Sequence, residues 1–278
     1  PTIKKCVAER LLGGPNAGGC LPRDLQSAIP YAGKGSVPSM RIGLLTDLHY
    51  CSQEVMLGRR YPQLALLRAR QAVRDFSRAG VERVVCLGDL IDAEEDVSQN
   101  ERNLRAAAST LLSANVPCAC VMGNHDCTVF APEEFTRLSG LQIAPCSWVA
   151  GDVALHFLNA NFDWQGKPYR PGAVDWTQTR LPEEELARVR AAMADTAHRH
   201  FFFLHQCLDP GVEQRHILQN AAEINALLQT GRTAAVFQGH YHPGFRSVRN
   251  GIPYVTLAAL CEGPASSAMV IDTDAFPA

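Results

Sequence analysis

From residue 41 onward the chain alternates short apolar runs with longer amphipathic segments. Apolar runs rich in β-branched residues predict strands, and longer segments with apolar residues every three or four positions predict helices. The front half of the pattern predicts strands at 41–46, 83–87 and 118–122 and helices at 63–79 and 99–113. Because strands and helices alternate here in the order βαβαβ, we expect a parallel sheet with right-handed crossovers.

The second half of the chain is richer in strands. The pattern predicts strands at 153–158, 201–204, 234–237, 245–248, 254–257 and 268–271, and helices at 182–194 and 220–229. An irregular stretch is predicted at about 159–181. This distribution indicates an α/β protein in which two mixed sheets pack together and are flanked by helices, a four-layer α/β/β/α sandwich.

Residues 1–39 differ from the rest because they are rich in glycine turns and lack apolar periodicity. We therefore expect residues 1–39 to form an N-terminal extension of unknown role and residues 40–278 to form the catalytic domain. The extension contains no apolar core of a signal peptide. Met40 is a natural start for a cytoplasmic enzyme, so a cytoplasmic location is expected.

Composition limits the possible partners. The 278 residues carry a formal net charge of −2, which gives no basic field for a nucleic acid polymer or an anionic membrane. No apolar run approaches the roughly 18 residues of a membrane span. The ten cysteines show no paired zinc spacing, and several lie inside apolar runs. A soluble protein with reduced, buried thiols is the expectation.

Polar groups capable of chemistry follow five of the predicted strands. They are Asp47 and His49, Asp89 and Asp92, Asn124 and His125, His205, and finally His240 and His242. One histidine at a strand end is usually a hydrogen-bonded structural residue, but five of the nine histidines fall at these ends. Since parallel strands place their C-terminal ends along one edge, we expect these groups to converge on one crevice.

Carboxylates, one amide and several imidazoles, without a thiolate, suit Mn, Fe or Zn ions better than Ca²⁺. The ligands suffice for two metal ions that share one carboxylate. Two ions about 3.5–4 Å apart can generate a hydroxide and hold both oxygens of an in-line displacement at phosphorus. The residue types therefore predict metal-assisted hydrolysis of a phosphoester.

In this order, the blocks Asp-x-His, Gly-Asp-x-x-Asp, Gly-Asn-His-Asp, a single His and Gly-His-x-His resemble the calcineurin-like metallophosphoesterases. The resemblance spans about residues 41–272, and no block is missing. It implies a first metal held by Asp47, His49 and His242, a second held by Asn124, His205 and His240, and Asp89 as the bridge. His125 would then be no ligand. It would protonate the leaving-group oxygen or steady the phosphoryl oxygens beside a bridging hydroxide, with Asp92 fixing its orientation.

Gly58-Arg59-Arg60-Tyr61 is similar, more loosely, to the branch that contains manganese-dependent ADP-ribose/CDP-alcohol diphosphatases. In that case Arg59 or Arg60 would bind a distal phosphate of the substrate. Each arginine could equally be a solvated residue at a helix entry. The resemblance implies a small phosphorylated substrate, nucleotide-like, as a phosphodiester, a diphosphate or a phosphomonoester.

Two alternatives remain at this point. A catalytically silent scaffold could keep the fold in order to bind protein partners, although it need not keep every ligand block. A nuclease of the same superfamily would require a basic groove, which the charge does not favour. Four histidines match no block and are expected to be surface or core residues: His156, His198, His200 and His216. For His216 an alternative stays open, because its loop follows His205 and could overhang the substrate. Trp164 and Trp176, in the irregular stretch, could stack on a substrate ring or anchor their loop.

Overall fold

A computed structural model describes residues 39–172, 174–262 and 267–276. The predicted extension at 1–39 lies, apart from Ser39, outside these residues. The front half contains β1 (Arg41–Leu45), α1 (Pro62–Arg78), β2 (Arg83–Cys86), α2 (Val97–Leu112), β3 (Cys118–Cys120), α3 (Asn124–Val129), α4 (Pro132–Ser139), β4 (Gln142–Ile143), β5 (Cys146–Ala150) and β6 (Val153–Phe157). The back half contains α5 (Glu183–Ala194), β7 (Arg199–Leu204), α6 (Ala221–Leu228), β8 (Thr233–Gln238), β9 (Phe245–Arg249), β10 (Ile252–Thr256) and β11 (Met269–Asp272).

Two mixed sheets form the fold. The first has the order β11-β1-β2-β3-β4, in which only β11 runs antiparallel to its neighbour. The second has the order β5-β6-β7-β8-β10-β9, with β6, β7, β8 and β10 parallel and an antiparallel strand at each edge. The predicted two-sheet α/β class is confirmed.

Each sheet packs its own helices on one face. Residues of α1, α2 and α4, including Ala69, Leu104 and Phe135, form one apolar cluster with the first sheet. Residues of α5 and α6, including Val189 and Ile224, form a second cluster with β7 and β8. Alternate residues of a strand face opposite ways, so the opposite faces of β6, β7 and β8 carry a stacked row of phenylalanines: Phe157, Phe203 and Phe237.

Helix α1 shows how sequence patterning sets these layers. Pro62 occupies its first turn, where the missing N–H has no intrahelical partner in any case. Its buried face repeats at helical spacing through Ala65, Ala69 and Phe76. Gly80, just after the helix, adopts a positive φ of 67°, which an L side chain rarely adopts. The helix predicted at 63–79 is therefore confirmed, with its boundaries one residue earlier.

Four short elements were not predicted. They are α3, α4, β4 and β5, between residues 124 and 150. The helix α3 begins at the polar Asn124 directly after Gly123, so no apolar periodicity announces it. The predicted strand at 118–122 accordingly ends at Cys120, two residues early. No helix among the described residues is both long and apolar enough to cross a membrane.

Candidate metal centre

The candidate side chains follow the C-terminal ends of β1, β2, β3, β7 and β8, all parallel strands of the two sheets. Six of the seven ligand candidates named from the sequence are buried: Asp47, His49, Asp89, Asn124, His205 and His240. The seventh, His242, has a side chain that is 9% exposed. The ends of both sheets deliver these groups to one place, as expected for the crevice beyond the carboxyl ends of an open α/β sheet.

Asp47, His49 and His242 form the first cluster. Oδ1 of Asp47 lies 3.3 Å from Nε2 of His242 and 3.6 Å from Nε2 of His49. The two Nε2 atoms lie 3.1 Å apart. Oδ2 of Asp89 lies 3.5 Å from Nε2 of His49 and completes this group. Four ligand atoms therefore surround one small volume.

Asn124, His205 and His240 form the second cluster, again with Asp89. Nε2 of His205 lies 3.2 Å from Oδ2 of Asp89 and 3.2 Å from Oδ1 of Asn124. Ligand atoms of Asp89, His205 and His240 all lie within 4.8 Å of one another. Oδ2 of Asp89 thus faces both clusters. Oδ1 of Asp89 accepts a 2.8 Å hydrogen bond from the backbone N–H of His125.

Two buried atoms in these clusters make no hydrogen bond to any described residue. They are Oδ1 of Asp47 and Nε2 of His240. A buried polar atom without a partner is costly, and native structures almost always satisfy such atoms. A metal cation at each cluster would accept these lone pairs, so the residues present fit metal ions.

Four of the clustered residues adopt left-handed backbone conformations, which are uncommon for residues other than glycine. The φ angles are 53° at Asp47, 46° at His49, 51° at Asp89 and 67° at His240. Each such residue costs of order 1–3 kcal/mol and persists only where the surrounding fold imposes it. Such conformations concentrate at functional sites, and here they turn each ligand loop back toward the crevice.

Two motif glycines allow the loops to approach each other. A Cβ on Gly123 would collide with Oδ1 of Asp89. A Cβ on Gly239 would collide with Thr46 and lie 3.0 Å from Oδ2 of Asp47. These glycines therefore keep the first and second clusters side by side.

The carboxylates of the first cluster stabilise positive charge on its imidazoles. Burial lowers the pKa of His49, but Asp92 and Asp47 outweigh burial and raise the pKa to about 10. Burial also lowers the pKa of His242, and the neighbouring carboxylates of Asp47 and Glu262 raise it to about 9. A cation binding here would displace these protons and benefit from the same negative charge.

In the second cluster the pKa values of the two imidazoles shift in opposite directions. Burial lowers the pKa of His205, yet Asp89 more than compensates and raises it to about 9. Burial raises the pKa of Asp89, but His205 and His125 hold it well below its usual value. Burial, assisted by His205, lowers the pKa of His240 well below normal. His240 is therefore a neutral imidazole, the form that binds metals.

His125 differs from the other motif histidines. Its side chain is 33% exposed, and its Nδ1 lies 2.5 Å from Oδ1 of Asp92. The predicted pairing of Asp92 with His125 is thus present in the structure. The same Asp92 oxygen lies 2.8 Å from Nδ1 of His49, a second contact that the sequence did not predict.

Asp126 is a buried residue of the Gly-Asn-His-Asp block to which the sequence assigned no role. Oδ1 accepts hydrogen bonds from the N–H groups of Leu90 and Ile91, at 2.9 and 3.2 Å, and Oδ2 accepts one from Gly123 at 2.9 Å. Burial, reinforced by Asp89, raises the pKa of Asp126 to about 7. Asp126 ties together the loops that follow β2 and β3. Its position at the third residue of α3 is the signal for this role.

Beside these clusters lies a cleft of about 330 Å³. It is lined by Met56, Asp92, Ala93, Asn124, His125, Thr128, Val174 and Trp176. Polar candidate residues thus form one part of the wall, and Met56, Val174 and Trp176 supply an apolar part. The ring of Trp176 lies 5.4 Å from that of His240, with the Arg215 guanidinium 5.7 Å away over Trp176.

His216, which matched no block, lies close to the second cluster, with its ring 4.8 Å from that of His240. Burial lowers the pKa of His216 to about 4, with help from Arg215. The other three lie away from these clusters: His156 contacts His200, and both His198 and His200 contact Asp195. Only the loop position of His216, after His205, could have indicated its place.

Arg59 and Arg60 both lie near a carboxylate that the sequence left unassigned. Nε of Arg59 lies 3.3 Å from Oε1 of Glu262, and the Arg59 side chain is 64% exposed. Arg60 is 12% exposed, with Nε 3.6 Å from Glu262 and Nη1 3.6 Å from Asp92. Binding of substrate phosphate by either arginine stays a prediction.

A comparison with protein families identifies this arrangement. The model of the calcineurin-like phosphoesterase superfamily domain matches residues 40–275. The chain belongs to this superfamily. It is a metal-dependent phosphoesterase, as the motif blocks predicted.

Individual relatives of this calcineurin-like phosphoesterase are distant. A probable cyclic nucleotide phosphodiesterase from Pseudoalteromonas sp. (strain SM9913) is 26% identical over 211 residues, covering 74% of this chain and 73% of the relative. A dimetal phosphatase from Danio rerio has a similar structure, with a TM-score of 0.71 and 21% identity over 82% of this chain and 90% of that one. The protein TT1561 of Thermus thermophilus matches with a TM-score of 0.57 and 15% identity, covering 85% of this chain and 100% of that one. These structures share the fold.

Proposed function

We propose that the protein hydrolyses small, nucleotide-like phosphoesters with two metal ions held in the two clusters. The first metal would be held by Asp47, His49 and His242, the second by Asn124, His205 and His240, and Asp89 would bind both. The observation that carries this proposal is the convergence of buried ligand groups into two clusters that share the Oδ2 atom of Asp89. The structural similarity to the dimetal phosphatase from Danio rerio supports the proposal of two metal ions.

The bound ions would supply Lewis acidity toward phosphoryl oxygens and make water more acidic. His125 would do the remaining proton chemistry. Because its Nδ1 is held by Asp92, its Nε2 is the nitrogen left to serve the cleft. From there it would donate a proton to the leaving-group oxygen or hold the phosphoryl oxygens. Asp92 would hold the His125 ring in the orientation that this role requires.

The residues that line the cleft support the proposal of a substrate in which a phosphate is joined to a flat ring. Asn124 and His125 line it together with the apolar side chains Met56, Val174 and Trp176. Apolar walls with a few convergent polar groups are typical of small-molecule sites. The probable cyclic nucleotide phosphodiesterase similar to this chain makes cyclic nucleotides one candidate class. Diphosphates such as ADP-ribose are the other, with the exposed Arg59 as a contact for a distal phosphate.

Residues 40–278 would form the catalytic domain, and residues 1–39 an extension. The family match over 40–275 supports this division.

Metal analysis and a substrate panel test the proposal. The full chain, stripped with chelator and reloaded with Mn²⁺, Fe²⁺ or Zn²⁺, should bind two ions per chain. The panel comprises ADP-ribose, CDP-choline, cyclic AMP, bis-p-nitrophenyl phosphate and p-nitrophenyl phosphate. We expect turnover with at least one nucleotide and its loss in Asp89→Asn. If the protein binds less than one ion per chain and turns over no substrate, it would instead be a catalytically silent scaffold.

A further inference from the structure

Glu262 contacts one imidazole of the first cluster from behind. Oε1 of Glu262 lies 2.5 Å from Nδ1 of His242. On the opposite side of the same ring, Nε2 faces Oδ1 of Asp47 at 3.3 Å and Nε2 of His49 at 3.1 Å. A carboxylate that accepts the proton of one ring nitrogen fixes the tautomer and leaves the other nitrogen with its lone pair.

Two arginines hold Glu262 in this position. Nε of Arg59 and Nε of Arg60 lie 3.3 and 3.6 Å from Oε1 of Glu262. The Glu262 side chain is 19% exposed, so it is largely withdrawn from water. A partly buried carboxylate needs such cationic partners to remain ionised and in place.

The two clusters differ in the hydrogen-bond partners of their histidine rings on the side away from the cluster. In the first, both histidines have a carboxylate on Nδ1: Asp92 for His49 and Glu262 for His242. In the second, Nδ1 of His205 donates to the Leu87 carbonyl at 2.6 Å. Within the described residues, His240 forms no ion pair with any carboxylate. Carboxylate partners raise the basicity of a ligating imidazole, and a neutral carbonyl does so less.

We propose that Glu262 is a positioning residue for the first metal, which it serves by holding the His242 ring with Nε2 toward the cluster. This inference rests on the ligand assignment of the proposed function. It makes the first site the tighter of the two, because both of its imidazoles are oriented by carboxylates. Glu262 would act through the His242 ring and not as a ligand itself.

Titration of chelator-stripped full-length protein with Mn²⁺, followed by calorimetry, tests this role. Wild type should bind in two steps of unequal affinity. Glu262→Ala should weaken the tighter step by about 10–100-fold and leave the weaker step unchanged. Glu262→Gln, whose carbonyl oxygen can still accept from Nδ1–H, should recover most of the loss. Glu101→Ala, on α2, is the matched control and should behave as wild type.

A second readout is independent of activity. In zinc-loaded protein with ¹⁵N-labelled histidine, NMR should show a His242 signal of the tautomer protonated at Nδ1, and Glu262→Ala should change it. Circular dichroism confirms that the variant is folded. If Glu262→Ala does not fold, Glu262→Gln is read for a smaller shift of the same His242 signal, because an amide oxygen accepts the Nδ1 proton more weakly than a carboxylate does. If wild type binds two ions and both Glu262 variants match it in affinity and NMR, the positioning role is wrong. If wild type binds none, the proposed function itself fails.

Discussion

Oδ1 of Asp92 lies 2.5 Å from Nδ1 of His125 and 2.8 Å from Nδ1 of His49. One carboxylate oxygen therefore orients two imidazoles with different proposed roles, a proton donor facing the cleft and a ligand of the first metal. Burial raises the pKa of Asp92, but His49 and His125 outweigh burial and hold the pKa far below its usual value. Asp92 is therefore held in its ionised form, between the proposed metal ligand His49 and the proposed proton donor His125.

His125→Ala separates these roles. The variant removes the proposed donor and leaves Asp92 paired with His49, so both metal ions should remain bound. We expect kcat to fall by about 10²–10⁴-fold, the usual contribution of general acid catalysis. Metal analysis of the purified protein and steady-state kinetics on the best substrate of the panel measure the two effects.

Asp92→Asn is the comparison for that variant. An amide oxygen can accept from the imidazoles but carries no charge, so both the first-site metal affinity and kcat should fall. Loss of both ions in His125→Ala would show that His125 is a ligand and would refute the division of roles.

The motif residues could be located from the sequence because each follows an apolar run. The parallel strands β1 and β2 bring their ends to a common edge by topology alone, so Asp47 and Asp89 are expected to meet without further information. His205 follows β7 of the second sheet, and its contact with Asp89 also depends on how the two sheets pack. Glu262 could not be found in this way. It lies beyond the end of β10, outside every motif block, and only the fold places it behind His242.

The short elements between 124 and 150 show the same limit. Helix α3 begins within the polar block itself, and its capping depends on Asp126 reaching back to Gly123. The contacts of Asp92 with both His49 and His125 likewise join separate loops, so they could not be predicted from the sequence. Periodicity registers apolar faces, so it reveals strands and long helices but not contacts between polar loops.

Asn124→Ala should chiefly weaken the second metal. Asn124 offers the neutral oxygen that lies 3.2 Å from Nε2 of His205, and none of the contacts described above for the first cluster depends on it. We expect titration with Mn²⁺ to show loss of the weaker binding step and retention of the tighter one. Asn124→Asp retains an oxygen donor and should keep both. Equal weakening of both steps in Asn124→Ala would contradict the assignment.

Trp176→Ala tests whether the cleft recognises a ring. Stacking on an aromatic side chain contributes about 1–3 kcal/mol per base, which corresponds to a rise in KM of roughly 5–150-fold for a nucleotide substrate. A glycerophosphodiester without a ring should be affected little, and Trp176→Phe should restore most of the affinity. If Trp176 only anchors its loop, both substrates will lose affinity together.

Glu185, which lies away from the metal centre, makes the free energy of unfolding depend on pH. Its side chain is buried on α5, and Oε2 accepts a hydrogen bond from the Asn159 N–H at 3.3 Å. Burial raises the pKa of Glu185 from 4.5 to about 7. The folded protein therefore holds this proton more tightly than the unfolded chain. The resulting stability is fully present below pH 4.5 and is lost as pH rises to about 7.

Glu185→Gln mimics the protonated side chain at every pH. We expect the variant to match wild type below pH 4.5 and to exceed it at about pH 8 by roughly 3 kcal/mol in the free energy of unfolding. Urea unfolding at both pH values measures the difference. Glu184→Gln, at the exposed neighbouring position of α5, removes the same charge and should leave the pH dependence unchanged. A Glu185→Gln curve parallel to wild type would mean that Glu185 is ionised at no cost, because Arg188, 3.5 Å from its Oε1, compensates for burial.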